Sequence, residues 1–358
     1  MPDRFDVIIA GGGVIGASIA WRLARNHRRV LLLDASRIGV EASSAAAGML
    51  APGGEFEEPS PLLTFATESL AKYDGFIAAI QADSGLPVEF RRTSAVQIAL
   101  TSAESESLTQ RAACQSAAGI PSTVLTRHEL QALAHSVRPD ALGAIHYTNE
   151  AIVHPAALMT ALRAACLAHG VTIEQDSRVT SISAGAAVRV CLADHAIEAP
   201  FAVIAAGAWS SGITVTVDGQ PYALPPSYPV KGHLLGYRLP AGLLAITVRH
   251  HHTYVLQRAD GFTIAGSSTE DAGYDRTIDP QIVSDIAQRA SALVPALHGL
   301  KPESVWIGFR PATGAAAPHI GRVESSGLWL AYGHYRNGIL LAPATCDRIC
   351  REISGNLS

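Results

Sequence analysis

Two arginines lie in apolar, glycine-rich stretches, where burying a permanent positive charge is costly. Arg336 interrupts the run LWLAYGHYRNGILLAPAT at residues 328–345, and Arg310 lies in IGFRPATGAAAPHIGR at residues 307–322. A guanidinium group keeps its charge at every physiological pH and binds a carboxylate through two parallel hydrogen bonds. Each arginine therefore requires an anion, which is either a bound ligand or an acidic side chain of the same chain.

A glycine motif near the N-terminus predicts a dinucleotide-binding site. Gly11, Gly13 and Gly16 follow one apolar segment and open a helical segment, and Asp34 ends the next apolar run. The glycines allow a tight turn, close approach of a pyrophosphate and close packing of helix on strand, while the acid binds ribose hydroxyls. Free N–H groups at the start of the helix favour the phosphates.

The stretch ASSAAAGML at residues 42–50 favours FAD over NAD as that dinucleotide. Its small side chains allow a flavin ring and its ribityl chain to lie close to backbone N–H groups. The alternative is the start of an alanine-rich helix. The segment around Arg336 is also expected to return to the same sheet, which again favours FAD.

Tyr254 and the four residues Arg249-His250-His251-His252 form a second group of polar candidates. The Tyr254 hydroxyl is expected either to donate a hydrogen bond to a ligand or to pack at a domain interface. Consecutive strand residues point to opposite faces, so at most two of the four can converge. We therefore predict a solvated hairpin, with His252 at the pocket edge and no metal site.

Composition excludes several classes of function. The chain has 358 residues, of which 48% are hydrophobic and 16% charged, and its net charge is −4. This length predicts two domains, and the charge argues against nucleic acid or an anionic membrane as a partner. No apolar stretch reaches the ~20 residues of a membrane helix. The first strand, near Phe5, leaves no room for a signal peptide, so a cytoplasmic location is expected.

The periodicity of apolar residues predicts an α/β fold. Buried parallel strands are expected at 7–9 and 30–33, around a helix whose Ser18, Arg22 and Arg25 face solvent. The remaining segments predict a helix at 62–83, a hairpin at 88–100, a hairpin at 252–267, a helix at 280–294 and a C-terminal helix.

Motifs along the whole chain resemble those of one enzyme family. The sequence resembles the FAD-dependent D-amino acid oxidase superfamily in GGGVIGASIAWRLA, ASSAAAGML, PVKGHLL, IGFRPAT, PHIGR and GHYRNGILLAPAT. The resemblance is most specific to its glycine oxidase branch, of the thiamine-biosynthesis type, in SSAAAGML and GHYRNGILLAPAT. The glycine motif alone is not specific.

The resemblance implies a discontinuous, Rossmann-like FAD-binding domain and an antiparallel-sheet α+β domain that binds substrate. The expected FAD-binding segments are 1–90, 144–222 and 303–358. The expected substrate-binding segments are 91–143 and 223–302.

The resemblance, together with the glycine motif, also assigns site residues. The expected substrate contacts are Tyr254, Arg310 and Arg336. The expected FAD contacts are Gly11, Gly13, Val14, Ile15, Gly16, Asp34, Ala35, Ala42, Ser43, Ala47, Gly48, Met49, Val179, His334, Tyr335, Arg336, Asn337, Gly338, Ile339 and Leu340. No cysteine occurs at 306–309, where some members of the superfamily attach FAD, so a noncovalent flavin is expected.

For a member of this family, the anion that Arg310 and Arg336 require is the carboxylate of an amino acid substrate. The resemblance implies hydride transfer from the substrate Cα to flavin N5, hydrolysis of the imine to a keto acid and ammonia, and reoxidation by dioxygen to hydrogen peroxide. The expected substrates are glycine, sarcosine and small D-amino acids, with a role in thiamine thiazole synthesis. Thr269 stands where these enzymes carry a methionine, which changes the pocket wall.

Other interpretations stay open. A dehydrogenase on the same scaffold would oxidise a D-amino acid or a 2-hydroxy acid and pass electrons to a quinone or carrier. A tRNA-modifying oxidase domain is disfavoured because the chain has no basic face, and a non-enzymatic FAD-binding module would require both arginines to be structural. A homo-oligomer is also left open.

Overall fold

The fold begins with a strand, a helix and a second strand, as the sequence predicts. The structure is a computed structural model that describes residues 5–315 and 317–355. Strand Val7–Ala10 pairs in parallel with strand Val30–Leu33, and helix Val14–Arg25 connects them. Every residue of both strands is buried, as expected for parallel strands that are covered on both faces.

The strands of the described residues are numbered here in chain order. They are β1 (Val7–Ala10), β2 (Val30–Leu33), β3 (Met49–Leu50), β4 (Phe90–Ala99), β5 (Ser122–Thr126), β6 (Gly143–Val153), β7 (Thr172–Glu174), β8 (Ser181–Ala184), β9 (Val188–Cys191), β10 (Ala196–Ala199), β11 (Phe201–Ile204), β12 (Thr214–Val217), β13 (Gln220–Tyr222), β14 (Ser227–Arg238), β15 (Thr247–His250), β16 (Thr253–Gln257), β17 (Phe262–Gly266), β18 (Ser304–Thr313), β19 (His319–Arg322) and β20 (Leu328–Tyr332).

The α-helices of the same residues are α1 (Val14–Arg25), α2 (Ala42–Ala45), α3 (Pro52–Glu55), α4 (Pro61–Ala71), α5 (Tyr73–Ser84), α6 (Ser102–Ala117), α7 (Arg127–Leu133), α8 (Pro155–Ala168), α9 (Pro280–Leu293) and α10 (Gly338–Gly355). Short 3-10 segments lie at Gly207–Gly212, Pro295–Leu297 and Tyr335–Asn337. None of the helices described here combines the length and the apolar character that a membrane span needs.

A six-stranded sheet within the described residues has the order β19-β20-β11-β1-β2-β7. Its strands pair in parallel, except that β19 is antiparallel to β20. Val7 and Ile9 pack against helices α1, α8 and α10, whereas Ile8 and Ala10 pack against a second sheet of order β10-β9-β8-β12-β13. Alternate residues of β1 therefore enter two different cores.

A larger, mostly antiparallel sheet positions the predicted substrate residues. Its order in the described chain is β18-β14-β17-β16-β15-β4-β6-β3, with β5 paired along β6. Arg310 lies on β18, which pairs with β14 over its whole length, and Tyr254 lies on β16, directly opposite Arg249 of β15.

Sheet membership differs from the predicted domain division at three strands. The strands β3, β6 and β18 hydrogen-bond into the larger sheet, although the predicted boundaries assign nearly all of their residues to the FAD-binding domain. Residues 1–4, 316 and 356–358 of that predicted domain lie outside the described residues. The division into two domains stays a prediction.

Two predicted elements differ from the structure. The segment 62–83 forms two helices, α4 and α5, because Lys72 ends the first and precedes the second. The segment 88–100 forms the single strand β4 instead of a hairpin, because β4 pairs with β6 on one side and β15 on the other. The hairpin predicted at 252–267 is confirmed by β16 and β17.

The solvent face predicted for α1 is wrong at Ser18. This side chain is buried, and its hydroxyl donates to the Val14 carbonyl at 2.6 Å. Helix α10 covers this face, where the Cys346 thiol donates to the Ser18 carbonyl at 3.1 Å. Arg22 lies at the edge of the same contact and pairs with Asp347 at 3.0 Å.

Candidate active site

A large cavity lies between the six-stranded sheet and the larger antiparallel sheet. Its volume is about 1400 Å³. The glycine turn, the run after β2, strands β14, β16 and β18, and the turn before α10 all line it. The predicted FAD contacts line this cavity with the exception of Gly16 and Leu340, and the predicted substrate contacts Tyr254, Arg310 and Arg336 line it as well.

Gly11 and Gly16 shape the loop between β1 and α1. Gly11 has φ +109°, and a Cβ there would lie 2.4 Å from the Ala205 carbonyl oxygen. A Cβ at Gly16 would lie 1.9 Å from the Gly11 oxygen, so Gly16 allows α1 to approach the loop and does not line the cavity. Leu340 also does not reach the cavity, because its side chain is buried in the core between α10 and the sheet.

Asp34 holds the glycine loop from the end of β2. One carboxylate oxygen accepts the Gly12 N–H at 2.7 Å, and the other accepts the Ser36 N–H at 2.8 Å. Burial raises the pKa of the Asp34 carboxyl, and these hydrogen bonds oppose the rise. The carboxylate also lines the cavity, where its remaining lone pairs are available to the hydroxyls of a ribose.

The small-residue run after β2 is partly helical. Ala42–Ala45 form the single turn α2, whereas residues 46–48 continue without a helix into β3. The Ser43 hydroxyl oxygen accepts the Val14 N–H at 2.9 Å and thereby satisfies one donor at the start of α1. The helix start that was one interpretation of this run is therefore confirmed for residues 42–45, and the flavin-facing interpretation stays a prediction.

A buried arginine, which the sequence did not indicate, donates hydrogen bonds to the backbone of this run and of β6. Arg258 donates to the Val153 carbonyl at 2.8 Å and also to the Ala47 carbonyl. Burial lowers the pKa of Arg258 to about 10. The sequence signal was weak because Arg258 lies within the predicted hairpin at 252–267, and nothing local indicates its distant partners Val153 and Ala47.

These features fit the shape and charge of FAD. Gly11 and Gly13 line the cavity at the turn before α1, and the N-terminus of α1 favours a pyrophosphate there. Asp34 and the small-residue run lie along the same cavity. The residues present can therefore hold a dinucleotide that extends toward the larger sheet.

Arg310 presents a positive charge to the cavity and has only neutral partners. Its guanidinium donates to the Ser268 carbonyl at 3.0 Å, to the Lys231 carbonyl at 3.4 Å and to the Ser267 hydroxyl at 2.9 Å. Within residues 5–315 and 317–355, no carboxylate lies within ion-pair distance of it. Gly232 leaves room for this arrangement, since a Cβ there would lie 2.4 Å from the guanidinium nitrogens.

Tyr254 lies near Arg310 on the same sheet. Its ring crosses Gly266 of β17, where a Cβ would lie 2.4 Å from the phenol oxygen. Burial raises the pKa of Tyr254 to about 12, although the positive charge of Arg310 opposes that rise. The phenol therefore keeps its proton at physiological pH and can donate a hydrogen bond to a ligand.

Arg336 is partly exposed and has an acidic partner in the chain, which was one of the two alternatives open from the sequence. Its side chain is 39% exposed, and its Nε donates to a Glu55 carboxylate oxygen at 3.0 Å. Tyr335, with φ +50°, begins the 3-10 turn that carries Arg336 out of the apolar run to the cavity wall. Because Glu55 is 281 positions away in the chain, nothing local in the sequence indicated it.

The residues 249–252 are not uniformly solvated, which corrects another prediction. Arg249 is 5% exposed, and its guanidinium donates to the buried Glu150 carboxylate at 2.6 Å. Since Arg249 lies directly opposite Tyr254, the two side chains lie on the same face of the sheet. His252 lines the cavity, where the sequence analysis placed it.

The sequence matches the profile of a family described as FAD dependent oxidoreductase across residues 6–351. The chain belongs to the FAD-dependent oxidoreductase family. The fold class, the FAD cofactor and the family resemblance expected from the sequence are therefore confirmed.

Glycine oxidases are among the relatives in this family. Glycine oxidase of Bacillus licheniformis is 31% identical over 99% of this chain and 95% of its own length. The bifunctional protein ThiO/ThiG of Synechocystis sp. is 31% identical over 98% of this chain and 51% of its own length. The crystal structure of glycine oxidase from Geobacillus kaustophilus superposes with a TM-score of 0.92 at 29% identity, covering 98% of this chain and 95% of that one.

Replacing Gly11 by alanine should abolish stable FAD binding. The added Cβ would meet the Ala205 carbonyl in a backbone conformation that alanine rarely adopts. The measurement is the ratio of flavin to protein absorbance after gel filtration, with circular dichroism to confirm folding. Gly75→Ala is the matched control, because a Cβ there meets nothing within 4 Å. A Gly11→Ala protein that is as yellow as the control would contradict the assigned role of the loop.

Proposed function

We propose that this protein oxidises glycine and other small amino acids that carry a free α-carboxylate. The observation that carries the proposal is Arg310, a cavity-facing guanidinium with only neutral partners, beside the protonated phenol of Tyr254. The similarity to proteins named glycine oxidase supports the same choice of substrate.

The charge of Arg310 favours an anionic ligand. An uncompensated charge in a partly buried position is costly, and a bound carboxylate removes that cost. Two N–H groups of a guanidinium match the two oxygens of one carboxylate, and the Tyr254 hydroxyl adds a third donor. The carboxylate, held at these points, fixes the orientation of the Cα–H bond of the substrate.

In this proposal Arg336 contributes less to binding the substrate carboxylate than the sequence suggests. Glu55 already pairs with it at 3.0 Å, so a substrate carboxylate must compete for the same cation. Glu55 also brings negative charge to the cavity, which favours the amino group of a substrate over a second carboxylate. The two side chains together act on the entry and orientation of the substrate.

Neither Tyr254 nor His334 is suited to remove a proton from the substrate. The pKa of Tyr254 is raised to about 12, and burial lowers the pKa of His334 to about 3. His334 is also turned toward α10, with its Nε2 3.1 Å from the Thr345 hydroxyl. Bound FAD supplies the oxidising chemistry by accepting a hydride equivalent, and the residues of this chain orient the substrate.

The finer expectations from the sequence belong to the same proposal. Thr269 lies exposed on the cavity wall, so sarcosine and small D-amino acids are further substrates to test. FAD binds noncovalently, the electron acceptor is dioxygen, and the imine product serves thiamine thiazole synthesis. In this proposal the FAD-binding and substrate-binding domains meet at the cavity, and β18 of the larger sheet lines it.

Glycine should bleach the flavin of the purified protein under nitrogen, because a bound carboxylate positions the substrate for oxidation. Readmitted dioxygen should restore the yellow colour and release one hydrogen peroxide per flavin. The measurement is flavin absorbance, followed by a peroxide assay. If glycine, sarcosine and D-alanine all leave the flavin oxidised, the proposed function is wrong. Bleaching with slow recovery in air would instead favour a dehydrogenase that uses a quinone or carrier.

Arg310→Ala should raise the Michaelis constant for glycine by roughly thirtyfold or more, because removing one partner of a buried charge pair costs about 2–5 kcal/mol. FAD content should stay unchanged. Arg336→Ala is the matched comparison. It should raise the Michaelis constant for glycine by only about fivefold, since an exposed ion pair contributes up to about 1 kcal/mol. Steady-state kinetics with an oxygen electrode measures both. Equal effects of the two variants would contradict the assignment of Arg310 as the principal carboxylate ligand.

Substrate affinity should survive mildly alkaline pH. Because the pKa of Tyr254 is about 12, its phenol stays a donor well above the pH at which an ordinary tyrosine ionises. The Michaelis constant for glycine should therefore not rise between about pH 8 and pH 10, where an unperturbed phenol begins to ionise. Tyr254→Phe should raise it severalfold throughout that range. A rise confined to the unmodified protein would show that Tyr254 ionises earlier.

A further inference from the structure

Three side chains of metal-ligand type converge at the rim of the cavity, between α6 and the turn that joins β15 to β16. The Glu104 Oε1 atom lies 3.3 Å from His250 Nε2 and 3.0 Å from His251 Nε2. All three potential ligand atoms lie within 4.8 Å of one another. None of the three residues takes part in the proposed substrate chemistry.

The backbone explains why two consecutive histidines reach the same carboxylate. In an extended strand their side chains would point to opposite faces, which is why the sequence predicts no metal site here. His250 ends β15, but His251 has φ +48° and lies in the turn. This left-handed residue brings the two imidazole rings together, with their centroids 4.1 Å apart.

Glu104 is held in place by the helix that it caps. Its Oε2 atom accepts the backbone N–H of Leu100 at 2.6 Å and that of Thr101 at 3.2 Å, as part of the capping box of α6. Its Oε1 atom is the one directed to both histidines. Backbone hydrogen bonds of this kind orient the carboxylate ligands of metal ions.

We propose that Glu104, His250 and His251 bind one divalent transition metal ion, with zinc as the representative. Two imidazole nitrogens and one carboxylate oxygen suit zinc, copper or nickel, whereas magnesium and calcium prefer oxygen ligands alone. In a tetrahedral zinc site with bonds of about 2.0–2.1 Å, neighbouring ligand atoms lie about 3.3 Å apart. The distances from Glu104 to the two histidines match this spacing.

The exposure of the site leaves room for a fourth ligand. The His251 side chain is 63% exposed, whereas His250 and Glu104 are 18% and 24% exposed. Water completes the coordination on the solvent side. The ion links the start of α6 to the β15–β16 turn, and both of these elements line the cavity rim. Metal binding therefore stabilises the folded rim against local opening.

The test uses the full-length protein with FAD bound, carrying no polyhistidine tag, and zinc chloride as the probe. Equilibrium dialysis with metal analysis should find one zinc per chain, and zinc should raise the thermal unfolding midpoint. Excess magnesium should not displace the zinc. His250→Gln, His251→Gln and Glu104→Gln should each weaken zinc binding by about tenfold or more. Glutamine at position 104 still serves the capping box of α6.

His195→Gln is the matched control. His195 lies 2.8 Å from the Asp194 carboxylate at the surface, but that pair belongs to no three-ligand group within the described residues. This variant should bind zinc like the unmodified protein. The proposal is wrong if the unmodified protein binds no zinc, or if the exposed His251→Gln variant binds it with unchanged affinity. The second criterion holds even if a change at Glu104 disturbs the helix cap.

Discussion

The positive charge of Arg310 is the constraint on which the site depends. Its hydrogen-bond donors are oriented by two carbonyl groups and a hydroxyl, none of which neutralises the charge. Three other arginines near the cavity have different partners. Arg249 pairs with buried Glu150, Arg336 pairs with Glu55, and Arg258 lies behind the cavity lining with backbone carbonyls as its partners. Of these four arginines, Arg310 is the one that lines the cavity without an acidic partner among the described residues.

The second constraint is steric, and it shapes the cavity. Four glycines allow the backbone to contact another element or a site side chain. A Cβ at any of them would lie within 2.4 Å of a neighbouring atom; they are Gly11, Gly16, Gly232 and Gly266. At Gly11 the missing side chain lets the loop lie against the Ala205 backbone after β11, and at Gly16 it lets α1 approach that loop. At the last two positions the missing side chains allow the Arg310 and Tyr254 side chains to lie flat across neighbouring strands. Glycine therefore serves the cofactor side and the substrate side of the cavity in the same way.

The parts of the structure that depend on short stretches of sequence could be predicted. The glycine turn, Asp34 and the β16–β17 hairpin each follow from residues that are near neighbours in the chain. The small-residue run and the position of Arg310 were also placed correctly at the cavity, through the resemblance to a known family. These features form much of the lining of the cavity.

The features that were missed depend on distant partners or on one backbone angle. Glu55 and Glu150 are far in sequence from the arginines that they pair with, so no local pattern indicates them. Ser18 has the spacing of a solvent-facing residue, but α10, more than 300 positions later, covers it. A single left-handed residue, His251, places its side chain beside that of His250, whereas an extended strand would direct the two to opposite faces. The periodicity of apolar residues indicates only the local environment of a residue, so it cannot predict contacts between residues that are distant in the chain.

The connectivity of the six-stranded sheet has a consequence for biogenesis. Strand β1 is formed by residues 7–10, whereas β20 and the cavity-lining turn before α10 are formed by residues beyond 327. The wall of the cavity is therefore incomplete until this late segment has been synthesised. A ligand that needs every wall of this cavity can bind stably only after the segment beyond residue 327 has folded against β11.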